Sequence, residues 1–178
     1  MKIKNIDYNF DYFDLHIEIK DLKKYISKFY VGQKIYLTGY VYTARDAAHK
    51  RLVELIKAKK KLPIDIKDSV IYYTGPTPAR PKMVIGSCGP TSSYRMDQYL
   101  NYLLELGLLG TIGKGERSEE AVGLIKKYKA VYFSAIGGAG ALACKYVEDL
   151  VEVAFLDLGC ESIKKIYIKD FPLIVSVV

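Results

Sequence analysis

Three cations and two hydroxyls lie at or near glycine-rich turns of this sequence: Arg45, Thr91, Ser92, Arg95 and Lys114. The turns read YTGPT, GSCGPTSS, IGKGE and IGGAG. An arginine fork holds a carboxylate through charge-assisted hydrogen bonds of about 1.5–3 kcal/mol each, and a lysine adds a compact charge at a second carboxylate. The set therefore suits a small dicarboxylate. Binding alone would not need the hydroxyls. A Thr or Ser hydroxyl is a poor base, but it transfers a proton when a nearby cation stabilises its alkoxide, and Arg95 follows Thr91 by one helical turn. His49 lies one turn beyond Arg45 on the same face, which allows either a place in the pocket or a buried, hydrogen-bonded one.

The elements that position these residues follow from periodicity. Leu15, Ile17 and Ile19 alternate with polar residues as a strand, and KIYLTGYVYT (Lys34 to Thr43) is a second, rich in β-branched and aromatic residues. From Arg45 to Lys60 apolar residues recur at three and four, predicting an amphipathic helix that stops before Pro63. VIYYTG and MVIGS read as short buried strands around the turn-rich PTPARPK. Helices are predicted over Tyr94 to Leu106, Glu119 to Lys127 and Ala139 to Asp149, the last after a strand in AVYFSAIGG. VEVAFLD, KIYI and LIVSVV supply closing strands, and the first fourteen residues read as an arm. The whole reads as a single α/β domain whose elbows open at strand ends, where free helix N-terminal amides attract anions.

Composition narrows the class. The chain has 178 residues, 50% of them apolar and 26% charged, which excludes disorder and disulfide scaffolds. No apolar run approaches the roughly 20 residues of a membrane helix, and acidic residues in MKIKNIDYNFDYFD stand where a signal peptide needs an apolar stretch, so a cytoplasmic protein is expected. The three cysteines, Cys88, Cys144 and Cys160, are far apart and only two histidines accompany them, so no zinc or iron-sulfur site is expected from this chain alone. The net charge of +7 fits an anionic ligand or acidic partner. Much of it sits in lysines at predicted helix C-termini, and no nucleic-acid-binding signature is present.

Five segments, in order, resemble the β subunit of class I iron-sulfur fumarate hydratases and L(+)-tartrate dehydratases: TARDAAHK from Thr43, YTGPT from Tyr73, GPTSSYRMD from Gly89, GKG from Gly113 and AIGGAGAL from Ala135. The resemblance implies a swivelling β/β/α domain, with a mixed sheet and flanking helices, that closes over a larger α subunit holding a four-iron, four-sulfur cluster. It implies hydration of fumarate to malate, or dehydration of tartrate, in a heteromer such as α2β2. By that likeness Arg45, Ser92, Arg95 and Lys114 hold substrate carboxylates, Thr91 is the proton-transfer group, Arg95 assists it, His49 is a further binding candidate, and no metal ligand comes from this chain. Ser92 stands where relatives often carry Thr, and Ser93-Tyr94 is bulkier than in some, which leaves pocket shape and the choice of substrate open.

Plainer roles exist for several of these residues. Arg45 and Asp46 start a helix, Thr91 and Ser92 are natural N-caps, and Cys88 reads as a small packed residue. Lys114 between two glycines has less structural excuse. A rival reading takes Gly138, Gly140 and Ala143 as a dinucleotide fingerprint with Asp157 as the ribose partner, which would make the chain an NAD-binding module. The motif falls late in the chain, leaving too little sequence for the remaining half of such a fold.

Overall fold

Val70, Ile71, Tyr72 and Tyr73 are consecutive and all fully buried, which is possible only in a strand covered on both faces. The computed structural model describes residues 15–135 and 140–178. Seven strands form one mixed sheet among the described residues: β1 (Leu15–Glu18), β2 (Lys34–Thr43), β3 (Val70–Tyr72), β4 (Gly110–Gly113), β5 (Val131–Ser134), β6 (Val147–Ala154) and β7 (Ile163–Val177). Their order is β1-β2-β3-β4-β5-β7-β6, parallel from β1 to β5 and antiparallel where β7 joins β5 and β6. The long β7 also pairs antiparallel with β2, so β2, β3, β4, β5 and β7 close on themselves. The helices are α1 (Leu22–Tyr25), α2 (Asp46–Lys57), α3 (Asp97–Glu105), α4 (Glu119–Lys127) and α5 (Gly140–Ala143).

Alternation along the strands sorts apolar residues into two cores. Val70 and Tyr72 of β3, Ile112 of β4 and Phe133 of β5 join Ile168 and Phe171 in one. Ile71, Tyr73 and Tyr132 face the other, packed under Leu52 of α2, Leu100 and Leu103 of α3 and Ile125 of α4. The parallel strands thus point their carboxyl ends to one edge, where Arg45 and Lys114 directly follow β2 and β4.

The α/β class, the mixed sheet with flanking helices and most boundaries agree with the sequence reading. Some elements differ. The helix expected up to Asp149 is the short α5 and one 3-10 turn (Cys144–Tyr146), and the chain is extended from Val147. Pairing outweighs helical periodicity there, because acidic residues of β6 face lysines of β7: Glu152 lies 3.2 Å from Lys164 Nζ and Glu148 lies 3.2 Å from Lys169 Nζ. VEVAFLD accordingly contributes only its first residues to a strand, which ends before Phe155 turns into a 3-10 segment with φ 57°. MVIGS is not a strand. Gly86 and Ser87 bond back to Thr77 while Met83 and Val84 stay exposed. KIYI and LIVSVV are one strand, continuous through a bend at Asp170, whose φ is 48° and whose N–H donates to Thr38 Oγ1 at 2.9 Å. The predicted arm, residues 1–14, lies outside the described residues.

No described helix is long and apolar enough to cross a membrane.

Candidate active site

Arg45 is the extended residue from which α2 starts, and its side chain gives that helix no cap. The N–H of Ala47 goes instead to Glu161 Oε2 at 3.0 Å, a carboxylate more than a hundred positions away. The Arg45 guanidinium lies 3.5 Å from Glu161 Oε1 and 4.0 Å from Asp46 Oδ2. It runs over Gly75, where an added Cβ would stand 2.8 Å from Arg45 Cδ, so the YTGPT glycine provides room for the arginine. Arg45 Nε is buried with no hydrogen-bond partner among the described residues. Asp46 also takes Arg95, whose Nε and Nη2 reach its two oxygens at 3.0 and 2.7 Å. Two arginines from different loops thus meet at one carboxylate, which the sequence reading treated mainly as a helix-start residue.

The second half of the site is two turns stitched together. Thr91 N–H donates to Tyr73 O at 2.7 Å, Lys114 N–H to Thr91 O at 3.2 Å and Ser93 N–H to Lys114 O at 2.9 Å, with a parallel bridge between Ser92 and Lys114. Tyr72 Oη–H to Cys88 O (2.5 Å) and Thr74 Oγ1–H to Gly89 O (2.8 Å) hold the preceding elbow. Thr91 is half-buried, its hydroxyl makes no hydrogen bond among the described residues, and Ser92 is exposed without capping the turn that follows. Lys114 is half-buried and its ammonium has no ion pair among the described residues. The two glycines around it differ in role: Gly115 has φ 76°, whereas Gly113 leaves space for the Ser93 hydroxyl.

A buried polar layer lies behind these turns, and sequence reasoning missed it. The Arg117 side chain is fully buried, donating from Nε to Asp97 Oδ1 at 2.5 Å and from Nη1 to Thr111 Oγ1 at 3.3 Å, with its guanidinium 5.0 Å from the Tyr132 ring. Asp97 also accepts from Ser118 N–H at 2.7 Å. No local pattern links residues 20 positions apart, and Arg117 stands among other charges in GKGERSEE, so no sequence signal marked this pair.

His49 belongs to that inner layer. It is fully buried, stacked on Tyr99 at 5.9 Å and edge-on to Tyr73 at 5.3 Å, and its Nε2 has no hydrogen-bond partner among the described residues. Nδ1 lies 2.8 Å from Arg45 O. A carbonyl only accepts, so the proton is assigned to Nδ1, and the ring steadies the start of α2. Burial pushes its pKa from 6.5 down to about 4. Between those values the unfolded chain binds a proton that the folded one excludes, so this contribution to stability is complete above pH 6.5 and is lost as pH falls toward 4. Denaturant unfolding across that window should show wild type losing about 3 kcal/mol more than His49→Gln. Parallel pH profiles would rule the burial effect out.

The cysteines stay apart in chemistry. Cys88 is packed, as expected, and burial pushes its thiol up to about 12. Cys144 is buried and Cys160 exposed. Among the described residues no group of His, Cys, Asp and Glu could hold a metal ion. Gly138 lies outside the described residues. Gly140 packs against Gly89, and Asp157 is held by both terminal nitrogens of Arg51, at 2.7 and 2.5 Å. The short α5 leads to an antiparallel strand, unlike the βαβ unit a dinucleotide site requires. A cavity of about 690 Å³, lined by Lys23, Lys67, Leu108, Lys126 and Val178, opens at the opposite sheet edge and contains none of the candidate residues.

Arg45, Asp46, Thr91, Arg95 and Lys114 thus hang from the ends of β2, β3 and β4, on loops tied by main-chain bonds. The family model described as Fumarase C-terminus matches residues 4–178. The chain belongs to this family. It is 39% identical over 166 residues to "Fumarate hydratase class I, anaerobic" of Escherichia coli, covering 92% of this chain but 30% of that protein. It is 38% identical over 160 residues to "Putative L(+)-tartrate dehydratase subunit beta" of Methanocaldococcus jannaschii, covering 86% of this chain and 82% of that one. With the "L(+)-tartrate dehydratase subunit beta" of Escherichia coli it shares 36% identity over 152 residues, 83% of this chain and 74% of that one. Members of the Fumarase C-terminus family therefore occur both as part of a long hydratase chain and as a separate subunit, and this chain spans under a third of the former.

Proposed function

We propose that this chain is the β-type subunit of a two-subunit hydro-lyase that reversibly hydrates fumarate to malate. Its residues complete a site shared with an α subunit that carries a four-iron, four-sulfur cluster, in a heteromer such as α2β2. The observation that carries the reading is the pairing of a cationic lysine and an unpartnered threonine hydroxyl, Lys114 and Thr91, on two turns joined by main-chain bonds. Arg45 and Arg95 add charge around Asp46. The likeness to relatives named as β subunits supports a separate partner chain.

When bound by the partner, the cluster would act as a Lewis acid toward substrate oxygen. Among the described residues Cys88, Cys144 and Cys160 form no ligand set for it. The chain's own residues bind and move a proton. Lys114 and the arginines hold the two carboxylates, with Ser92 adding a hydroxyl. In hydration, water oxygen bonds to one carbon of the double bond, the Thr91 hydroxyl gives its proton to the other, and the proton left from water restores the hydroxyl. Cationic neighbours make that transfer accessible by stabilising the transient alkoxide.

A second reading, dehydration of tartrate, is favoured by the names of two relatives, 38% and 36% identical to this chain. Both substrates are four-carbon dicarboxylates and need the same cations. Anaerobic mixing of the chain with its candidate α subunit should yield loss of fumarate that requires both proteins; the same assay with tartrate ranks the two readings, and a well-formed complex inactive on both overturns them. In the active pair, Lys114→Met should raise KM about ten- to a hundredfold with little change in kcat, because a charge that holds substrate and transition state alike contributes uniform binding. An unchanged KM would remove Lys114 from the site.

A further inference from the structure

Tyr132 joins the two site turns without belonging to either. It lies on β5, 1% exposed. Its hydroxyl accepts from Ser93 Oγ at 3.0 Å and donates to Gly115 O at 2.7 Å. A phenol has one proton, and a carbonyl only accepts, so the direction of this relay is set: Ser93 gives to Tyr132 and Tyr132 gives to Gly115. The same two turns already share the main-chain bonds from Lys114 to Thr91 and from Ser93 to Lys114. Two further features hold the relay in place. Gly113 lacks the Cβ that would overlap the Ser93 hydroxyl and stand 3.0 Å from Tyr73 Cδ2, and the Arg117 guanidinium packs on the Tyr132 ring. Packing alone accounts for a buried ring at this position, since phenylalanine would fill the same space; it does not account for a hydroxyl satisfied on both sides by the site turns.

We infer that Tyr132 is a positioning residue whose hydroxyl, relaying a hydrogen bond from Ser93 to Gly115, locks the Thr91 turn to the Lys114 turn so that both groups address one dicarboxylate. This rests on the proposed function in taking Thr91 and Lys114 as substrate-facing. Without the relay, the buried Ser93 hydroxyl loses its acceptor and the Gly115 carbonyl its donor, and the turns can shift by fractions of an ångström, which displaces both the proton-transfer hydroxyl and the carboxylate-binding ammonium.

The test compares Tyr132→Phe, Ser93→Ala and the double variant in the assembled two-subunit enzyme. Each single change should lower kcat/KM about ten- to a hundredfold through both a lower kcat and a higher KM. A mere loss of folded enzyme would lower kcat and leave KM unmoved. The double variant should be no worse than the more damaging single one, because both act through one relay. Ile125→Val, which thins the core beneath α4, serves as the control that lowers Tm while leaving kcat/KM in place. Hydrogen exchange on the same proteins should show the Ser93 and Lys114 amides exchanging about tenfold faster in Tyr132→Phe, with α4 unaffected. Wild-type kcat/KM in Tyr132→Phe, strictly additive losses, or unaltered exchange at those amides would overturn the assignment. If the wild-type pair acts on no dicarboxylate, the proposed function fails on its own, and the exchange comparison still decides whether Tyr132 locks the turns.

Discussion

Replacing Thr91 by alanine is expected to cut turnover of the assembled enzyme by about a hundredfold or more while leaving assembly and KM close to wild type, the scale lost when a positioned proton-transfer group is removed. The structural reason is that the Thr91 side chain has little else to do. Its main chain is held by Tyr73 and Lys114, whereas its hydroxyl makes no hydrogen bond among the described residues. Removing a hydroxyl without buried partners leaves no unsatisfied group behind, so stability should change little. Thr91→Ser, which retains the hydroxyl, should recover much of the rate. Steady-state kinetics of the three proteins, with sedimentation to check assembly, decide the matter. Near-normal turnover in the alanine variant would end the proton-transfer assignment, and Ser92 would be the next hydroxyl to test.

The second large effect is on stability. Arg117→Leu should destabilise the protein by about 3–5 kcal/mol, because it strands a carboxylate that lost its water on folding. The Asp97 side chain is 10% exposed and, among the described residues, keeps only the Ser118 N–H once the guanidinium is gone. Arg117→Leu combined with Asp97→Leu should recover a substantial part of the loss, since the penalty lies in the unpaired charge rather than in the missing pair. Urea unfolding of wild type, the single variant and the double variant measures both quantities. A loss under about 1 kcal/mol would place the pair with exposed ion pairs and contradict the burial argument.

The candidate site was legible in the sequence to the extent that local chemistry dictates it. Glycine-rich turns after predicted strands pointed to Arg45, Thr91, Ser92 and Lys114, and all four hang from the carboxyl-end loops of β2, β3 and β4. Arg95 was read as the cation beside Thr91. Its guanidinium grips Asp46 through two oxygens, a pairing between residues 49 positions apart that no spacing argument reaches. His49 had two equal readings from its place on α2, and its burial was not among the things spacing could decide, because Tyr73 and Tyr99 come from other elements to enclose it.

Periodicity and turn chemistry by themselves determined the α/β class, the run of β2, the helices α2, α3 and α4 to within a few residues, and the glycine elbows with their cations and hydroxyls. Those are local properties: side-chain alternation, three-and-four spacing, and backbone freedom at glycine act over a turn or two of chain. What only the tertiary structure decided were the contacts that chain distance hides. β7 is one bent strand that closes the sheet against β2. The acidic segment after α5 is a strand because lysines of β7 face it. Glu161 caps α2, Asp97 buries Arg117, and Tyr132 joins the Ser93 and Gly115 turns. Each depends on burial, which changes the worth of a charge or hydroxyl according to what folds over it, and that is set by packing between segments far apart in the chain.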